Sequence, residues 1–394
     1  MSKIKSLVAG LLAGVIALSF AACRTKDEIA VTFSDGENQY EMRSAIYFYQ
    51  VMMADSDFRS QVYEQLSEDE NADLSNIDYE SQTLDDKDYE TWVKDKAMEY
   101  SQDFAYVELT FDKLGLEIDQ ETLDSIDSNA QTSWENGAQD YFEPNGISLS
   151  SFKLLNENSY KKDQIYSFYY NEPDENETPT EQNQDAGSKR PAKDEIDKAI
   201  EDNFVLVDEI IIPLTETDEN GESTTLSDTE KKEAEEKLNG YADRLKAGES
   251  FSEIYIDYNG SDLSQKSEAK DPYASLYGGE DTADYFGEYY SQYYESAYYD
   301  DYRELKAGEP TVEKFDDAYV LVVRQEVATD PYYVEMLSDI AVSVLCYDDF
   351  SDDVTESAKA LKVTQNESAI NFYKPSKIDY GTTTTMAATV TTAG

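Results

Sequence analysis

FVLVDEIIIPL (204–214) and DAYVLVVRQEV (317–327) are the two runs on which the fold turns. Each is rich in β-branched residues, too short for a membrane-spanning helix and long enough for a buried strand. Between them lies a helix with clear end signals. Ser227 and Glu230 stand at capping-box spacing, and Ala234, Leu238, Tyr241, Ala242 and Leu245 recur at helical intervals. Gly248 falls where such a helix stops. FSEI (251–254), a polar loop, a tyrosine-crowded segment (285–302) and LKAGEP (305–310) then lead to the closing run. Strand, capped helix, variable middle and closing strand predict one compact α/β module over 194–329.

Outward from the module, residues 28–170 read as a mostly helical domain. EIAVTFSDGENQYEM (28–42) suggests a short strand and turn, and AIYFYQVMM (45–53) a helix. The strongest helix is 89–114, where Trp92, Val93, Ala97, Tyr100, Phe104, Val107, Phe111 and Leu114 make one apolar stripe and Gly115 a stop. Asp119 is placed to cap a helix running toward Trp134, and a further helix is expected over about 150–170. Residues 171–193, rich in Pro, Asn and charge, read as a flexible linker. Beyond the module, Pro331 opens a helix with Val334, Leu337, Ala341 and Leu345 on one face. DDVTESAKALKV (352–363) reads as a second helical stretch, followed by NESAINFYKP (366–375). Residues 376–394 end in a Thr-rich stretch read as a disordered tail.

The first 22 residues have the form of an export signal: Lys3 and Lys5, then LVAGLLAGVIALSF, then Ala21-Ala22 before Cys23. Small residues directly before a cysteine suit lipoprotein processing, which would leave Cys23 acylated and the chain on the outer face of the cell membrane. An ordinary signal peptide with Cys23 incidental is the alternative. Cys346 is then the one remaining thiol, so no intrachain disulfide forms; within IAVSVLCY (340–347) it reads as a buried structural thiol.

The chain carries 85 acidic and 32 basic side chains for a formal charge of −53, and no histidine. Such a surface excludes nucleic acid as a partner, since that needs cations to displace phosphate counterions. It also leaves membrane attachment to the lipid. No cysteine–histidine spacing suits a metal, and no cofactor is implied. Acidic runs such as SEDENAD (67–73) keep open a surface lipoprotein that binds divalent ions or cell-wall components, though they lack an EF-hand's ligand register.

VDEIIIP, EKLNGYADRLKAGESFSEI, YGGEDTADYFG, YRELKAGEPTVEKF and AYVLVV together resemble the parvulin-type peptidyl-prolyl isomerase domain of secreted foldases such as PrsA and SurA. The resemblance covers about a third of the chain at motif level. AYVELTFDKLGLEIDQETLDSI (105–126) and YFEPNGISLSSFKLL (141–155) are similar to the N-terminal chaperone domain of the same foldases. It implies an α+β protein: a helical SurA-N-like chaperone domain over 23–170, completed by C-terminal helices over 330–375, with the parvulin-like domain inserted. The implied partners are unfolded exported proteins and the membrane, reached through Cys23, with a homodimer left open.

Prolyl isomerisation needs neither nucleophile nor cofactor. It lowers a barrier of about 18–20 kcal/mol in ordinary amides by gripping the proline and aiming dipoles at the twisted bond. The resemblance implies a histidine on the first and last strands, a cysteine or aspartate between, and a methionine and phenylalanine in the pocket. Those positions fall on Glu209, near Asp262, near Tyr294 and Tyr298, and on Tyr319, or on Val320 with the register one residue along. The scaffold signals are present and the polar set is not. A foldase whose isomerase-like domain is degenerate is therefore expected, with an active isomerase as the alternative. The segment YFGEYYSQYYESAYYDDY, with eight tyrosines, exceeds what one helical stripe would bury. Phe286, Tyr290, Tyr294 and Tyr298 are its candidate substrate contacts, because tyrosine offers stiff amphipathic contact area.

Overall fold

The computed structural model describes residues 28–68, 73–173, 184–217, 223–260, 273–279 and 299–381. They form an α+β protein. In chain order the first elements are β1 (Ile29–Ser34), β2 (Gln39–Arg43), α1 (Ser44–Ser67), β3 (Thr83–Leu84), β4 (Lys87–Asp88), α2 (Tyr89–Leu114), α3 (Gln120–Ser133), α4 (Gln139–Phe142) and α5 (Leu149–Tyr170). Next come α6 (Lys193–Asn203), β5 (Phe204–Pro213), β6 (Thr215–Thr217), β7 (Ser223–Thr225), α7 (Asp228–Lys246), α8 (Phe251–Asn259) and β8 (Ala274–Gly278). The last are α9 (Tyr299–Glu304), β9 (Thr311–Lys314), β10 (Ala318–Gln325), α10 (Pro331–Ala358), β11 (Lys362–Gln365) and α11 (Glu367–Phe372). The chain divides into two compact units, one of 1–165 with 353–394 and one of 166–352. Among the described residues no helix is long and apolar enough to cross a membrane.

The first unit is closed by strands from opposite ends of the chain. β1 is the middle of a three-stranded antiparallel sheet between β11 and β2. Val31 sits opposite Gln365 and Ser34 opposite Lys362, while Phe33 faces Tyr40 across the hairpin. The turn is made locally: Asp35 Oδ1 accepts from the Glu37 and Asn38 amides, and Gly36 takes φ of 103°. α1 and α2 cover the sheet, burying Phe33, Met42, Ile46, Tyr47 and Phe58. α2 has the expected bounds: Asp88 accepts from the Thr91 amide at its start, and Gly115 ends it in the left-handed region at φ 68°. Asp119 likewise caps α3 by accepting from the Thr122 amide.

One buried carboxylate ties three parts of this unit together. Asp55 on α1 is 2% exposed. Arg59, one turn on, donates Nε–H to both of its oxygens at 3.0 and 2.9 Å. Tyr89 donates to Oδ1 at 2.5 Å, and Tyr380, near the end of the described chain, donates to Oδ2 at 2.9 Å. The Arg59 guanidinium lies between the Tyr79 and Tyr380 rings, 4.7 and 4.5 Å from their centroids. Burial and the adjacent Asp55 charge push the Tyr89 hydroxyl up to about 12 and Tyr380 higher still, so both remain donors. Asn145 holds the same terminal segment, donating Nδ2–H to Asp379 O and accepting from the Asp379 amide.

The sequence reading is corrected at four places. Residues 184–190, read as linker, form turns docked on the end of α5. There the Gly187 amide donates to Phe168 O, and Arg190 Nη1 donates to Tyr170 O, one of the carbonyls a helix end leaves open. The segments from 331 and 352 are one helix, α10, broken by neither glycine nor proline. Leu345 on α10 is 41% exposed and Cys346 half-buried, so neither is a core residue. KVTQ (362–365), partly read as helix, is strand β11, because β1 offers it a ladder.

Both tryptophans, Trp92 and Trp134, lie in the first unit, so their fluorescence reports its unfolding alone. Asp55→Ala leaves Arg59 without its carboxylate and two hydroxyls without an acceptor, and should lower urea stability read this way by about 3 kcal/mol. Tyr89→Phe, which removes one donor, should cost about 1 kcal/mol.

Candidate functional site

In the second unit, β5 and β10 are the central strands of a four-stranded antiparallel sheet ordered β8-β5-β10-β9. All eight residues of β10 pair with β5, from Ala318 opposite Pro213 to Gln325 opposite Leu206. One face carries Ile210, Leu214, Tyr319 and Leu321, packed on Leu238 and Tyr241 of α7 and on Phe251 and Ile254 of α8. α7 and α8 start at Ser227 and Ser250, each with a capping box closed by Glu230 and Glu253. The other face carries Val205, Val207, Val320 and Val322, covered by Tyr299 and Tyr302 of α9.

Glu209 opens on the α9 face, where the alternation of β5 places it with Val205 and Val207. Its two carboxylate oxygens accept from two tyrosines. The Tyr277 hydroxyl, on β8, donates to Oε1, and the fully buried Tyr302 donates to Oε2 at 2.7 Å. The two rings lie 6.0 Å apart, and Phe315 meets Tyr302 edge-on at 6.1 Å. Behind them, burial pushes the Tyr299 hydroxyl upward in pKa, and Arg303 donates to it at 3.1 Å.

Tyr319 does not join Glu209. It lies on the opposite face, 4% exposed and opposite Ile212, with the Lys314 ammonium 5.5 Å from its ring centroid. Val320, one residue along and opposite Ile211, is on the Glu209 face, but it is apolar and fully buried. The first- and last-strand positions therefore bring together one carboxylate and one valine. Asp262, Phe286, Tyr290, Tyr294, Tyr298 and Cys23 lie outside the described residues.

A cavity of about 420 Å³ opens beside Glu209. Its walls are Glu209, Ile210 and Ile211 of β5, Tyr255, Tyr258 and Asn259 of α8, and Tyr273, Ala274 and Ser275 at the start of β8. Tyr255 and Tyr273 meet at 5.1 Å between centroids, and Tyr258 stands edge-on to Tyr241 at 6.3 Å. Burial raises the Tyr258 pKa, and its hydroxyl donates to Ile211 O at 3.2 Å. Sequence reasoning flagged neither these three tyrosines nor Tyr277. Their signal was the string IYIDY (254–258), which puts Tyr255 and Tyr258 one turn apart on a short helix.

The cavity is walled by tyrosine rings, one carboxylate residue and strand backbone, in a volume within the range of small-ligand pockets. Among the described residues no group of three or more cysteine, aspartate or glutamate side chains is placed to hold a metal ion. No family model matches the chain, and no curated protein matches it significantly.

Glu209→Gln keeps the shape of the site and weakens two charge-assisted hydrogen bonds. It should destabilise the second unit by about 1–2 kcal/mol, seen as faster hydrogen exchange of β5 and β10 with the tryptophan-reported unfolding of the first unit unchanged.

Proposed function

We propose that this protein is a lipid-anchored, extracytoplasmic folding factor that binds unfolded exported proteins. Residues 194–329, within its second unit, are a parvulin-like module that holds peptide rather than isomerising it, and residues 23–170 are a SurA-N-like chaperone domain. The motif-level resemblance supports the family reading, and the signal-like stretch ending at Cys23 supports the location. The observation that carries the reading is the tyrosine-lined cavity against the central strand, beside a carboxylate whose two oxygens already accept from tyrosine hydroxyls. Rings and a strand edge can hold a peptide. Stabilising a twisted amide needs donors aimed at it, and the facing position on β10 is a valine.

Tyrosine contact suits clients of varied sequence, because the ring packs on apolar side chains while its hydroxyl adapts to either hydrogen-bond partner. The acidic surface adds long-range attraction for basic chains, screened within about 8 Å at physiological salt.

The protein should suppress aggregation of a denatured, basic client diluted from urea, in proportion to its molar ratio. Adding salt should weaken that suppression without abolishing it. Turbidity unchanged at severalfold excess would remove the chaperone reading.

A further inference from the structure

Among the described residues the sheet has a notch. β8 pairs with β5 only from Phe204 opposite Gly278 to Asp208 opposite Ala274, whereas β10 follows β5 on its other side as far as Pro213. From Glu209 onward the outer edge of β5 has no ladder partner among the described residues. The direction of its main-chain groups can be read off. Leu214 N–H donates across to Asp317 O beside β10, so residues of even number here turn toward β10 and those of odd number turn away. Ile211 O, which accepts from Tyr258 outside the sheet, agrees. Glu209 and Ile211 therefore direct N–H and C=O groups out into the notch, and the cavity of about 420 Å³ lies against them.

We infer that this notch takes an extended, basic segment of an unfolded chain by strand addition, as a continuation of the line of β8 along Glu209–Pro213. The inference rests on the chaperone reading and names what that reading leaves open, the mode and chemistry of client capture. Three features select this occupant. Unpaired strand groups are satisfied best by another strand, whatever its sequence, which suits varied clients. Ile211 holds an apolar side chain 37% exposed at this edge, where an alternating strand would cover it. Glu209 lines the cavity, and none of the described residues lining it is basic. Tyr258 acts as a placeholder: its hydroxyl satisfies Ile211 O until a peptide N–H replaces it.

The test uses the whole protein and a fluorescein-labelled peptide of alternating valine and lysine. Fluorescence anisotropy should show binding, and N-methylation of the peptide at backbone positions facing β5 should weaken it by about fivefold each, while methylation at the intervening positions should not. Tyr258→Phe, which frees Ile211 O, should tighten binding by about twofold. By amide-exchange NMR, the Glu209 and Ile211 amides should exchange fast in the free protein and slow on adding peptide. Slow exchange in the free protein would mean that the chain covers its own edge, and would overturn the inference. Binding indifferent to N-methylation would overturn it too, while leaving the chaperone reading in place. No peptide binding at all would count against both.

Discussion

The pairing of β5 with β10 is the constraint on which the second unit depends. These strands lie more than a hundred residues apart in the sequence, and the ladder between them forms only once that intervening chain has been closed into a loop. The cost is offset by burial on both faces, since the two strands contribute Val205, Leu206, Val207, Ile210, Val320, Leu321 and Val322 to the core. Everything at the candidate site is positioned by that ladder. It fixes which face Glu209 opens on, sets Tyr302 over it and, among the described residues, leaves the outer edge of β5 without a ladder partner where β8 stops. The first unit repeats the strategy with β1 and β11, and adds the Asp55 knot that fastens Tyr380 to α1 and α2.

The elements with local signals were legible in the sequence. α2 shows its stripe, its aspartate cap and its terminal glycine, and α7 its capping box, because each depends on residues within a turn or two. β5 and β10 were legible as strands for their β-branched runs. Their facing was not, and the reason is physical. A strand buried on both sides needs no polar alternation, so nothing in AYVLVV distinguishes Tyr319 from Val320, and a one-residue change exchanges the faces. β11 was hidden for the opposite reason. All four of its residues are exposed, and it is a strand because β1 pairs with it.

The site was legible in part. Glu209 was singled out as a position, but its partners Tyr277 and Tyr302 come from β8 and α9, and no spacing along the chain relates them. Tyr302 belonged to the tyrosine-crowded segment, where its burial beneath the sheet answers to the structural demand for a ring over Val207 and Val320. The Glu209 carboxylate is already satisfied by two tyrosine hydroxyls, and across from it the strand is plain core. A peptide held there would be gripped by rings and backbone without a dipole aimed at its bond.

Exchange NMR on an X–Pro peptide mixed with the whole protein tests that claim most directly, because it reads binding and turnover in one spectrum. The account predicts peptide resonances broadened by binding while cis–trans exchange keeps its uncatalysed time of tens of seconds or longer. Exchange accelerated by catalytic amounts of protein, and slowed again by Glu209→Gln, would contradict it.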